Sequence, residues 1–140
     1  MNTANHTFSV FVFGGYYKDD VELTVDIPLS DAEVVTIQSL INRYDGPIDS
    51  DTDLMPILKA GAPELHQRFF DAIYPRVFFE LFELDRADLS LDPVDWGRQW
   101  DFDRDIDYML ATYGDAADFS DAFLCRIPEQ MVASLPSRHP

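Results

Sequence analysis

The sequence predicts an α+β fold, and three observations carry it. Two stretches near the N-terminus alternate apolar with polar side chains, a helix-capping signature follows the second, and a long apolar stripe at helical spacing runs from Pro63 to Leu84. The expected architecture is an N-terminal antiparallel β-hairpin, three-stranded if residues 119–127 join it. It packs on a cluster of helices around a long, proline-kinked central helix. At 140 residues the chain has the length of a single domain, 1–140, able to bury roughly two-thirds of the surface that its unfolded form exposes. Its composition, 46% hydrophobic and 14% aromatic, is that of a chain that folds. No internal repeat and no long linker divides it.

The first strand is Thr7 to Phe13, with Phe8, Val10 and Val12 on one face. The second is Val21 to Ile27, with Val21, Leu23, Val25 and Ile27 in phase. Gly14-Gly15 and Lys18-Asp19-Asp20 supply the turn between them. Ser30 with Glu33 three residues on forms a capping box, and Leu29 can staple to Val34. Val34, Ile37, Ile41 and Tyr44, widened by Val35 and Leu40, mark the buried face of the helix that starts there, and Gly46-Pro47 stops it. A short helix from about Leu54 to Ala60 tolerates Pro56 in its first turn.

In the central helix, Leu65, Phe69, Ile73, Val77 and Leu81 fall four apart, and Phe70, Tyr74, Phe78 and Phe82 form an adjacent row. Pro75 deletes the hydrogen bond to residue 71, so a kink or a break is expected; the stripe keeps its phase across it, which favours the kink. Residues 85–95 read as loop. Phe102, Ile106, Met109, Leu110 and Tyr113 share a helical face, with Asp101 as cap and Gly114 past the end. Residues 119–127 fit either a short helix or a third strand through Phe123, Cys125 and Ile127. The strand is preferred because a lone hairpin is marginal in water. A last short helix is expected from Pro128 to Leu135.

Charge is the dominant compositional signal: 26 acidic against 10 basic side chains, net −16. Such a chain repels nucleic acid and anionic membranes and attracts basic surfaces. Residues 81–121 alone hold 12 acidic and 3 basic side chains, half of the excess in less than a third of the length. With one cysteine, Cys125, no internal disulfide can form. Residues 1–7 lack a basic leader region, and no segment approaches ~20 consecutive apolar residues. A cytoplasmic protein that does not enter a membrane is expected.

Motifs for chemistry fail on inspection. Asp49, Asp51 and Asp53 open like a calcium loop, but Leu54 and Ala60 stand where a glycine and a bidentate glutamate are needed. Asp101 to Asp107 fails the same test at Ile106. His66 with Cys125 can be written as part of a nucleophilic triad, although Cys125 lies in an apolar run that suits an inert thiol. No cofactor and no metal are expected. The segment around Trp96 and Trp100 is more informative, since tryptophan and arginine are enriched where partners bind. The contrary reading has both tryptophans covering the core, Trp100 stacked on Arg104.

The resulting expectation is a non-catalytic, acidic protein-binding module, an inhibitor that occupies a basic or nucleic-acid-binding surface of a partner protein by mimicking nucleic acid. The partner face comprises Asp95, Trp96, Trp100, Asp101, Asp103, Asp107, Asp115 and Asp118. The alternatives are an enzyme with a carboxylate or metal-dependent site that no motif betrays, and a salt-adapted domain of unrelated function.

Overall fold

The computed structural model describes residues 3–13, 21–49, 52–84, 86 and 89–133. The turn expected at Gly14-Gly15 and Lys18-Asp19-Asp20, the aspartates Asp51 and Asp85, and the tail beyond Ala133 lie outside them. In chain order come β1 (Thr3–Val12), β2 (Val21–Ser30), α1 (Asp31–Arg43), α2 (Leu54–Gly61), α3 (Pro63–Leu84), α4 (Pro93–Trp96), α5 (Phe102–Tyr113), β3 (Phe123–Cys125) and α6 (Glu129–Ala133).

The sheet is antiparallel, ordered β2-β1-β3, so the α+β class and the third strand are both present. Phe8 pairs with Val25 and His6 with Ile27 along β1 and β2, while Val10 to Val12 pair with Cys125 to Phe123. Because side chains alternate across a strand, this register puts Phe8, Val10, Val12, Val25 and Ile27 on one buried face, and the helices cover it.

At the β2–α1 junction the Ser30 hydroxyl accepts the Glu33 N–H at 3.2 Å and the Glu33 carboxylate accepts the Ser30 N–H at 2.9 Å, the reciprocal box expected. Arg68 of α3 reaches Glu33 at 2.7 Å, which ties a third element to the corner. That guanidinium and the Ser30 N–H hold the Glu33 carboxyl down to about 2. On α1 only Ile37 and Ile41 are fully buried. Val35 and Tyr44 are exposed, because the covered stripe is narrower than expected. Asp53 caps α2 through the Met55 N–H and also accepts the Cys125 N–H, both at 3.0 Å, joining α2 to β3. A Cβ at Gly61 would collide with the Leu40 side chain, so glycine permits the close approach of α1 and α2.

The central helix is one unbroken span through Pro75; the break does not occur, and the expected kink is not confirmed. Proline in a helix interior costs about 3 kcal/mol or more. Here Ile73, Val77 and Phe78 are fully buried on both sides of it, and that packing holds the helical path. The first part of α3 packs on the sheet, with the Phe8 and Phe69 rings edge to face at 4.8 Å. Its last turns enter a second cluster of Phe78, Phe82, Leu89, Met109 and Tyr113 beneath α5.

Phe69 and Phe78 each head one cluster and are fully buried. Replacing either with alanine should cost about 3 to 5 kcal/mol, the range for a buried aromatic. Urea unfolding with an unchanged slope measures it. A loss below about 1 kcal/mol at both positions would show that the stripe is not core.

Candidate functional site

The region between α3 and α5 owes its shape to a buried charge network. Asp92-Pro93 opens α4, with proline at a first-turn position where its missing N–H costs nothing. One turn of helix cannot bury Val94, Asp95 and Trp96 together, and the side chain turned inward is Asp95, 3% exposed. Its Oδ2 accepts the Tyr113 hydroxyl at 2.6 Å and the Tyr108 hydroxyl at 2.9 Å, while Oδ1 lies 3.7 Å from Arg98. The Tyr113 bond, helped by Tyr108 and Arg98, lowers the Asp95 carboxyl despite its burial. Burial and the same bond push the Tyr113 phenol up to about 12, so it stays a donor. With Asp95 inward, Val94 and Trp96 face out, 86% and 50% exposed.

Asp105 is the second buried carboxylate, 2% exposed. It receives Arg98 Nη2 at 2.6 Å, Arg104 Nη2 at 2.8 Å and Nε at 3.1 Å, and the Asp101 N–H at 2.9 Å. Arg104 first, then the Asp101 amide, holds it far below the usual carboxylate range. A buried charge is tolerated only when its lone pairs are filled in this way. Two carboxylates and two guanidiniums thus alternate from α4 through the 97–101 loop to α5. Arg98 also lies over the Trp100 ring at 4.5 Å; that ring stacks on Tyr108 and meets Phe82 edge on at 5.0 Å.

The expected partner face divides accordingly. Trp96, Asp101, Asp103, Asp107, Asp115 and Asp118 are exposed, and Trp100 is half-buried. Asp95 is internal, because two tyrosines and Arg98 consume it, and a contact face cannot include it. The stacking partner of Trp100 is Arg98; Arg104 is drawn instead to Asp105 and to the Gln99 carbonyl at 2.7 Å. α5 ends at Tyr113, so Asp115 and Asp118 do not share a helix, and Asp118 turns back on the Ser120 N–H. Asp101 caps α5 through the Arg104 N–H as expected. Asp105 was missed, although its position beside Phe102, Ile106 and Met109 on the apolar face was a signal that the carboxylate had to be paired.

The other candidates resolve locally. The Cys125 thiol is fully buried and desolvation pushes it up, the reverse of what activates a nucleophile. His66 stacks on Phe70. Among the described residues no group of three or more His, Cys, Asp or Glu side chains is placed to hold a metal ion, and no helix is long and apolar enough to cross a membrane. Compared with protein-family models, curated proteins and solved structures, the chain matches none.

Asp95 and Asp105 have depressed folded values, so their stabilisation is complete above the unfolded carboxylate pKa of about 3.9 and fades as pH falls through the folded values. Asp105→Asn should lower the Tm near neutrality, and the gap from wild type should narrow below about pH 4. Thermal unfolding across pH checks this; a gap that stays constant down to about pH 3 would show that ionised Asp105 does not hold the network.

Proposed function

We propose that the chain is a non-catalytic, acidic module that binds a basic surface on a partner protein, with Trp96 as the apolar anchor. The observation that supports it most is Trp96 itself, half exposed on a single helical turn that the buried Asp95 pins in place. A large aromatic presented rigidly loses little entropy on binding, and tryptophan is prominent among residues whose truncation costs about 2 kcal/mol or more. Around it the exposed carboxylates of Asp92, Asp101, Asp103 and Asp107 belong to a chain of net charge −16, a field that speeds encounter with a cationic partner.

The finer reading, an inhibitor that mimics nucleic acid, rests on Asp103 and Asp107, one turn apart on the outside of α5 and so roughly 5–6 Å from each other. The Asp115–Asp118 pair gives it no helical spacing. An enzyme reading has less to build on, since the two buried carboxylates, Asp95 and Asp105, already have their oxygens filled by structural donors.

The test begins with capture from the native host and counts only partners lost with Trp96→Ala. That variant should weaken binding about tenfold or more, mainly through faster dissociation. Asp103→Asn/Asp107→Asn should slow association and flatten its salt dependence. Affinity indifferent to salt and to both variants would overturn the proposal, and unfolding at low salt with recovery in molar salt would point to the salt-adapted domain.

A further inference from the structure

β2 lies at the edge of the sheet. In an antiparallel ladder the N–H and C=O of one residue point to the same side, and successive residues alternate. The Ser9 carbonyl accepts the Arg126 N–H at 2.9 Å on the β3 side, so Phe8 and Val10 direct their backbone groups to β2, where Val25 and Leu23 are their partners. The backbone groups of Glu22, Thr24, Asp26 and Pro28 therefore point away from the sheet. Pro28 agrees with this parity, since it has no N–H to leave unpaired. Its carbonyl takes Arg68 Nη1 at 3.3 Å, and the Ser30 N–H goes to Glu33. The outer edge is thus closed at its C-terminal end. Over Glu22, Thr24 and Asp26 it is open: among the described residues no backbone partner reaches them.

Beside this open stretch runs a groove of about 580 Å³ that separates β2 from α3 and α5. Pro75 and Phe102 contribute apolar wall, and Asp71 and Asp107 contribute exposed carboxylates; Asp26 stands at the rim, its side chain with Thr7 on the sheet face away from the helices. Arg76 also lines it, lying over the Phe102 ring at 4.2 Å, so the two acids outweigh the cation. Asp26 accepts the Thr7 hydroxyl and Asp71 the Gln67 amide, one oxygen in each case. Pro75 has no N–H to give the Asp71 carbonyl, which leaves the groove wall with a backbone acceptor that the helix cannot fill in the usual way. The carboxylates of Asp71 and Asp107 and the Asp71 carbonyl favour a donor-rich, cationic occupant.

We infer that the open edge of β2 receives an extended, arginine- or lysine-bearing segment of the basic partner by strand addition, its cationic side chains on the helix-facing side meeting Asp71 and Asp107. Main-chain bonds to Thr24 and Asp26 supply the docking, and the carboxylates choose the sequence. A second copy of this chain is a poor occupant, because a two-fold pairing of the open stretch, centred on Thr24, sets Glu22 of each copy against Asp26 of the other. The inference shares the basic partner of the proposed function but uses a surface that does not include Trp96.

The experiment uses an acetylated peptide alternating arginine and valine, and the same peptide N-methylated at every valine, the residues whose N–H groups face β2 when the arginines face Asp71 and Asp107. The unmodified peptide should slow amide exchange at Thr24 and Asp26. N-methylation should weaken its affinity at least about tenfold, as should Thr24→Pro, which removes an edge donor without touching the β1 ladder. Asp71→Asn should reduce the salt dependence of binding. No binding, no slowed exchange, or equal affinity for the N-methylated peptide would overturn the inference, as would protection of the edge by self-association without peptide. The N-methylated arm needs no variant to fold. If the full partner requires Trp96 but ignores Thr24→Pro, the strand addition fails alone; if the peptide docks as expected but Trp96→Ala costs the partner nothing, the proposed anchor fails alone.

Discussion

The apolar stripe of α3 is the constraint on which the remaining structure depends, because one helix serves two hydrophobic clusters. Leu65, Phe69 and Ile73 close the sheet with α1 and α2, and Phe78 and Phe82 close the α5 cluster. A stripe so wide leaves little of the helix for solvent, and it explains how Pro75 is accommodated. Side chains fixed on both sides of a lost hydrogen bond leave the helix no better path. The sheet is correspondingly small, three strands with β3 only three residues long, and draws its stability from the face that α3 covers.

The Asp95–Arg98–Asp105–Arg104 network does a different task. Buried ion pairs contribute little net stability after desolvation, but they tolerate few alternative arrangements. Here the alternation of charge fixes how α4 and the 97–101 loop lie against α5, with two tyrosine hydroxyls and a backbone amide completing it. The chain's acidity is thereby partitioned. Two aspartates are consumed inside, neutralised by their arginines, while Asp101, Asp103 and Asp107 remain outside without diluting the surface field.

Local signals made much of the fold legible. The Ser30–Glu33 box, the period of two in β1 and β2, and the stripe of α3 each depend on residues within a turn or two of one another, so sequence spacing reports them directly. α4 escaped because four residues are too few to show a period. Val35 and Tyr44 read as buried because an apolar residue near a stripe looks like part of it, yet exposure is set by what the neighbouring elements cover. The site was legible only in outline. Trp96 and the outer aspartates stood out by type, whereas the burial of Asp95 and Asp105 depends on Tyr108, Tyr113 and Arg98 arriving from elsewhere. Arg104 near Trp100 suggested stacking, but an exposed cation–π contact is worth about 0.5–1 kcal/mol and yields to a two-point bond with a buried carboxylate.

The division of α3 between two clusters also bears on how the molecule comes apart. The cluster of Phe78, Phe82, Leu89, Met109 and Tyr113 is smaller than the one against the sheet, and the charge network beside it is local in sequence, from Asp95 to Tyr113. Cooperative units of opening tend to follow such boundaries, and the smaller unit opens at lower free energy. Residues 93–113 are therefore the part expected to open first, with β1, β2 and α1 still closed. In that partly open form the end of α3 would bare Phe78 and Phe82 next to an intact sheet. For a chain this acidic, self-repulsion then becomes a safeguard, keeping two such species apart long enough for each to close again.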